Sequence, residues 1–310
     1  MIALKSQSDF LDTIYLTLGY SLKEIEPGKF HRFGPRKSGW AKMFDDYAGG
    51  VFGCYRQGIK SHWSARKQQS PAEIDAMHQR VHHAMRERAI EQRAQWAKNA
   101  LLNAELWARA QQVQSGDPVH RYLVARGLGN WTIPSCIRFH PSLAYWDCDD
   151  DGEFHHLGNY PTMVAKLVGC DGHLLALHRT YLGDGCKADV PTPRKLTAAS
   201  SQLSGASIPL AELRGGVIGI AEGIETAAAA ALGSGVPVVS AYCAQALSTF
   251  HWPQGTERLI VFADNDPAGQ HAAASLVQRA KRAGIAINTK TPSIAGTDWC
   301  DVWQTRGHAE

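Results

Sequence analysis

The chain has no Cys-x-x-Cys pair, although it contains 7 cysteines. Cys54, Cys136, Cys148, Cys170, Cys186, Cys243 and Cys300 stand singly, so neither a zinc ribbon nor a disulfide framework is indicated, and no zinc is expected. A reducing cytoplasm is the simplest setting. No apolar run reaches the length needed to span a bilayer, and Met1 to Phe10 lacks the basic-then-apolar order of a secretory signal. A membrane partner is therefore not expected. No Gly-x-x-x-x-Gly-Lys-Ser/Thr occurs, which excludes a motor of the P-loop type. Excess charge is also missing. A net +3 over 310 residues, with 20% charged and 44% apolar residues, describes a soluble globular chain of two or three domains. That balance does not by itself argue for nucleic acid.

What is present centres on Leu259-Ile260-Val261-Phe262-Ala263-Asp264-Asn265-Asp266-Pro267-Ala268-Gly269. A short apolar run of this kind reads as a buried parallel strand. Pro267 suits the first turn of a following helix, where its missing N–H costs nothing. Asp264 and Asp266 then sit at the C-terminal end of a strand, where open α/β sheets place their ligands. Two carboxylates so close repel each other unless a cation lies between them, and oxygen ligands on a partly open site suit Mg²⁺. Upstream, Val217-Ile218-Gly219-Ile220-Ala221-Glu222-Gly223 repeats the pattern of strand, acid-glycine turn and helix. Val236 to Ser240 supplies a third strand, and Tyr242 to Phe250 a helix. This alternation implies a parallel sheet with Glu222, Asp264 and Asp266 on one edge. Helix capping is the structural alternative for each of these acids.

Glu222-Gly223 after one strand, and Asp-x-Asp-x-Ala-Gly after a later one, resemble the Toprim domain of bacterial-type DNA primases, topoisomerases and some nucleases. Gly296-Thr297-Asp298-Trp299-Cys300-Asp301 is similar to the segment closing that domain in phage and plasmid primases. The resemblance implies Mg²⁺ or Mn²⁺ bound by Asp264 and Asp266, with Glu222 as third ligand or general acid/base. Asp298 would complete the site through water, and Glu225 would stand behind it. It also implies RNA primer synthesis on single-stranded DNA from ribonucleoside triphosphates, for a phage or plasmid. With no motor in the chain, a separate replicative helicase is the expected partner. A Toprim nuclease, or a non-catalytic single-stranded-DNA-binding subunit, are the alternatives.

The expected fold is α/β: a Toprim-like parallel sheet with flanking helices over residues 211–310, preceded by three other parts. Residues 1–65, broken by glycines, read as short β-hairpins and resemble a primase zinc module without its ligands. Basic residues there interleave with Trp40 and Trp63, which suits stacking on single-stranded bases; aromatic core is the equal alternative. Residues 70–127 read as a helical arm, opened by the capping box Ser70-Pro71-Ala72-Glu73 and closed by a second helix starting at Asp117-Pro118. His78 and His82 on it lack an acidic companion and read as solvated. Residues 128–210 read as β-rich and basic, with a solvated acidic turn from Asp147 to Asp151. By resemblance to the primase subdomain preceding Toprim, Arg179 and Arg194, with Lys187, Lys195 and Lys166, would face the metal site and hold template or nucleotide phosphates. Exposed hairpin charge is the alternative.

Overall fold

A computed structural model describes residues 2–65, 71–148 and 153–306. The chain divides into two compact units, Met1–Ala94 and Gln95–Glu310. The division falls inside one long helix. Ser70, and hence the expected capping box, and most of the acidic turn (149–152) lie outside the described residues.

The first unit opens on α1 (Ile2–Leu18), followed by β1 (Phe30–Phe33), β2 (Gly39–Met43), β3 (Gly49–Cys54), β4 (Ile59–Ser64) and the first part of α2 (Pro71–Arg109). The strands form an antiparallel meander in sequence order. Helix α1 was not expected, although Phe10, Ile14 and Leu18 repeat every four residues, as one helical face requires. These three pack on one side of the sheet with Phe52 and Met43. On the other side Ala84 of α2 packs with Trp40, Phe44 and Val51. Every residue of the central strand β3 is buried as a result.

This sandwich corrects the expectation of base-stacking tryptophans. Trp40 is 1% exposed, and the Arg88 guanidinium covers its ring at 4.1 Å. Trp63 is half-buried against Phe10, with ring centroids 5.3 Å apart. Both serve the core, because a helix covers each sheet face. His78 and His82 are exposed on α2.

The second unit takes the end of α2, then β5 (Gln111–Gln112), α3 (Pro118–Ala125), β6 (Ile137–Cys148), β7 (Phe154–Val168), β8 (Leu174–Tyr181) and β9 (Arg194–Leu196). Asp117 caps α3 by accepting from His120 N at 2.8 Å. The five strands form one antiparallel sheet in sequence order. One face carries Val164 and Leu177, which pack on Leu106 of α2. The other carries Met163, Ala165 and Ala176, which join the main core.

There follow β10 (Val217–Ala221), α4 (Ile224–Ser234), β11 (Val238–Ser240), α5 (Ala244–Thr249), β12 (Arg258–Phe262), α6 (Pro267–Arg282), β13 (Ala286–Lys290) and α7 (Trp299–Arg306). The sheet order is β11-β10-β12-β13, and every pairing is parallel. Strand β13 extends the three strands expected. Alternate residues point to opposite faces: Ile218, Ile220, Leu259 and Val261 pack with α5 and α6, whereas Ala221 and Phe262 pack with α4 and the five-stranded sheet. The fold is thus mixed α/β, with a parallel sheet flanked by helices. Among the described residues no helix is long and apolar enough to cross a membrane.

Because Trp40 is core, Trp40→Ala should lower the stability of the first unit by about 3–5 kcal/mol, read as an earlier urea transition of that unit. Replacing exposed Arg56 should shift it by no more than about 0.5 kcal/mol. Equal transitions for the two variants would return Trp40 to the surface.

Candidate active site

Parallel pairing puts the ends of β10 and β12 level: Ala221 is opposite Phe262. Glu222 and Asp264 therefore leave the sheet at the same edge. Asp264 is half-buried, and its Oδ1 is enclosed without a hydrogen-bond partner. Burial, and then the charges of Glu222, Asp298 and Asp266, push its carboxyl up to about 7, against a smaller opposing pull from Arg194. Glu222 is raised in the same way, by burial first and Asp266 next; Arg194 and the Ala244 backbone N–H oppose the rise. Four acids thus act on one another at one sheet edge, with one arginine acting against them.

Local structure explains why they collect there. Asp266 is the N-cap of α6, and its Oδ1 accepts from Gly269 N at 2.7 Å. A Cβ on Gly269 would lie 2.8 Å from the Asp264 carbonyl oxygen, so only glycine lets the first turn of α6 sit on the Asp264 backbone. Asn265 ties down the segment before α7: its N–H donates to Thr297 O at 3.0 Å, its carbonyl accepts from Gly296 N at 2.7 Å, and its Nδ2 donates to Pro292 O at 2.9 Å. Asp298 is brought in by these bonds. Its Oδ1 accepts from Cys300 N and Asp301 N at 2.6 and 3.0 Å, while Asp301 Oδ2 accepts from Asp298 N at 3.0 Å. The two aspartates cap α7 reciprocally.

Asp266 and Asp298 thus each spend one oxygen on a helix terminus. Among the described residues no three His, Cys, Asp or Glu side chains are gathered closely enough to hold a metal ion by themselves. The donor set nevertheless fits a hard cation in an open site. Asp264 Oδ1 is a buried oxygen lacking a partner, Glu222 stands beside it in charge, and Mg²⁺ keeps several waters or substrate oxygens in its shell.

The basic residues separate by strand parity. Cross-strand partners share a face and adjacent residues oppose. Thr180 pairs with Arg194, and Arg179 with Lys195. Arg194 lies on the face toward the acids, where its charge acts on Glu222, Asp264 and Glu225. Arg179, Lys195 and Lys166 lie on the opposite face, which corrects the expectation that all would face the metal site. Arg179 donates to Leu196 O at 2.8 Å and to the Tyr181 hydroxyl at 3.1 Å. Lys195 donates to Asp147 Oδ1 at 2.9 Å and to Trp146 O at 2.6 Å. Lys166 sits 4.7 Å over Trp107.

Glu225 is 6% exposed. Its burial acts to raise the carboxyl, but the Lys187 charge and the hydrogen bond from the Tyr122 hydroxyl hold it below the ordinary value. Lys187 is thereby the counter-charge of a buried carboxylate. His178 shares the Arg194 face and is buried, with Nδ1 lacking a partner; burial pushes it down to about 4. Tyr122, His178 and Asn265 were missed. Nothing in their local sequence marks them, because each acts on a residue brought close by folding.

Asp264 should make metal-free stability depend on pH. Between about 4 and 7 the folded chain holds its proton and the unfolded chain, at the ordinary 3.8, does not. Stability therefore falls as pH climbs through that window. Asp264→Asn should remove this fall and raise the melting temperature more at pH 8 than at pH 4.5. Parallel melting profiles for the two proteins across that range would contradict the assignment.

Residues 97–207, the end of α2 and most of the antiparallel sheet, match a domain of unknown function, DUF7146. Residues 217–309 match the Toprim domain. No curated protein matches the chain. Among solved structures, a DnaG primase catalytic domain bound to ssDNA is 15% identical, with a TM-score of 0.47 over 68% of this chain and 78% of that one. A DNA primase domain from Pseudomonas aeruginosa is 13% identical, with a TM-score of 0.44 over the same shares. The Aquifex aeolicus primase, comprising zinc-binding and RNA polymerase domains, is 13% identical, with a TM-score of 0.42 over 99% of this chain and 82% of that one. The parallel sheet β10–β13, with the acids at its edge and α7 closing it, lies within the residues that match the Toprim domain.

Proposed function

We propose that this chain is a DNA primase, joining ribonucleotides on a single-stranded DNA template by Mg²⁺- or Mn²⁺-dependent nucleotidyl transfer. The observation that carries this reading is the set of coupled acids at the Toprim sheet edge, with Arg194 facing them from the neighbouring sheet. Glu222 and Asp264 would hold the cation, with Asp266 and Asp298 adding negative charge around it. A divalent ion there neutralises phosphate charge and activates an attacking hydroxyl. Asp264 must lose its proton to serve, so affinity for the ion should rise with pH. Arg194 would hold a phosphate of the incoming nucleoside triphosphate or of the template, since a guanidinium matches phosphate oxygens in pairs. The buried Glu225, Tyr122 and His178, with the half-buried Lys187, would keep the Arg194 strand and α4 in register.

As a division of labour we propose 70–127 as a connecting arm, 128–210 as the phosphate-holding part and 211–310 as the catalytic part. The tryptophans of 1–65 take no part in stacking. A cytoplasmic setting, replication of a phage or plasmid, and a separate helicase supplying the opened strand complete the reading.

Incubation with single-stranded DNA, Mg²⁺ or Mn²⁺ and labelled ribonucleotides should yield short RNA products. Asp264→Asn with Asp266→Asn should abolish them without loss of folding, because asparagine still caps α6. Arg194→Ala should lower the rate by about 10²–10³-fold, while Arg179→Ala should act on stability instead. Shortened DNA with no RNA product would replace this reading with a nuclease. DNA bound but unaltered would leave a binding subunit.

A further inference from the structure

The face of the Toprim sheet that carries α4 and α7 holds an apolar pocket of about 320 Å³. Ala230 and Gly233 of α4 line one side, with Phe262 and the rings of Trp299 and Trp303 around them. The small residues on α4 leave the volume free. A Cβ on Gly233 would lie 3.7 Å from the Trp303 ring, so any larger side chain there would enter the hollow. Both indole N–H groups are already used: Trp299 Nε1 donates to Lys290 O at 3.3 Å, and Trp303 Nε1 to Gly127 O at 2.8 Å. The tryptophans therefore offer ring surface and no donor.

A single charged residue lines the pocket. Lys290 is exposed at the end of β13, and among the described residues its ammonium has no carboxylate partner. No acid lines the pocket. A concave apolar site with one charged residue on its lining has the composition of a small-ligand site. Flat rings favour a flat partner, and an unpaired ammonium favours an anion.

We propose that this pocket binds a small amphipathic anion: a flat apolar ring system against Trp299 and Trp303, carrying one carboxylate, sulfonate or phosphate group that reaches Lys290. The pocket is separate from the acid edge, yet adjoins it in the chain. Phe262 is two residues from Asp264, and Trp299 follows Asp298 directly. The proposal rests on the Toprim fold alone and needs no nucleotidyl transfer.

The test uses 8-anilinonaphthalene-1-sulfonate as the probe, titrated into the full chain by fluorescence and calorimetry. One probe should bind per chain. Gly233→Leu fills the hollow and should weaken binding at least about tenfold, since the buried ring contacts are lost. Lys290→Gln should weaken it about tenfold but leave the affinity for neutral N-phenyl-1-naphthylamine unchanged. Lys290 is exposed, so this variant decides the matter if Gly233→Leu does not fold. Unaltered sulfonate affinity in either folded variant, or equal weakening of the neutral probe by Lys290→Gln, would overturn the proposal. The readout requires neither metal nor DNA, so loss of the primase reading would leave it standing.

Discussion

Four like charges held at one half-buried sheet edge are the constraint on which the rest of the second unit depends. Glu222, Asp264, Asp266 and Asp298 repel, and burial of Glu222 and Asp264 reduces the water that would screen them. A chain that folded only for stability would scatter them. Here three of them are held by backbone N–H groups: Asp266 at the start of α6, Asp298 at the start of α7, and Glu222 by the Ala244 N–H at the start of α5. Arg194 supplies the one opposing charge acting on both Glu222 and Asp264. The carboxylates are therefore arranged before any cation arrives, and Asp264 is the one left with an unsatisfied buried oxygen.

The antiparallel sheet takes part because its strands alternate. One face of β8 and β9 points toward α4, with His178, Thr180 and Arg194 on it. The other bears Arg179 and Lys195, which are anchored by Leu196, Tyr181, Asp147 and Trp146. A run of basic residues thus divides into one cation at the acid edge and others that secure the sheet. The Tyr122–Glu225 hydrogen bond fastens α3 to α4 inside the same core. Removing that contact would leave a buried carboxylate with fewer partners, which costs more than the bond itself contributes.

The first unit follows a different logic. A four-stranded meander has two faces to cover, and α1 and α2 cover one each. Aromatics interleaved with cations on such strands resemble a stacking surface when read linearly. In the folded unit Trp40 becomes a core ring covered by the Arg88 guanidinium, which also lies over the exposed ring of Tyr55.

By itself the sequence determined the parallel sheet, the turns after β10 and β12, and the acids on them, because these are local patterns: apolar runs of strand length, acid-glycine turns, and a proline at a helix start. It determined the cap of α3 for the same reason, while capping of α6 by Asp266 stood only as the alternative to a metal role. Tertiary structure decided what depends on faces and distant partners. Strand register sent Arg194 toward the acids and Arg179, Lys195 and Lys166 away. Two helices closing on one sheet made Trp40 and Trp63 core. Asn265, reaching Pro292 and Thr297 across the edge, delivered Asp298 to Asp264. Local pattern carries backbone conformation, but which side of a sheet meets which helix is settled only when apolar faces compete for burial.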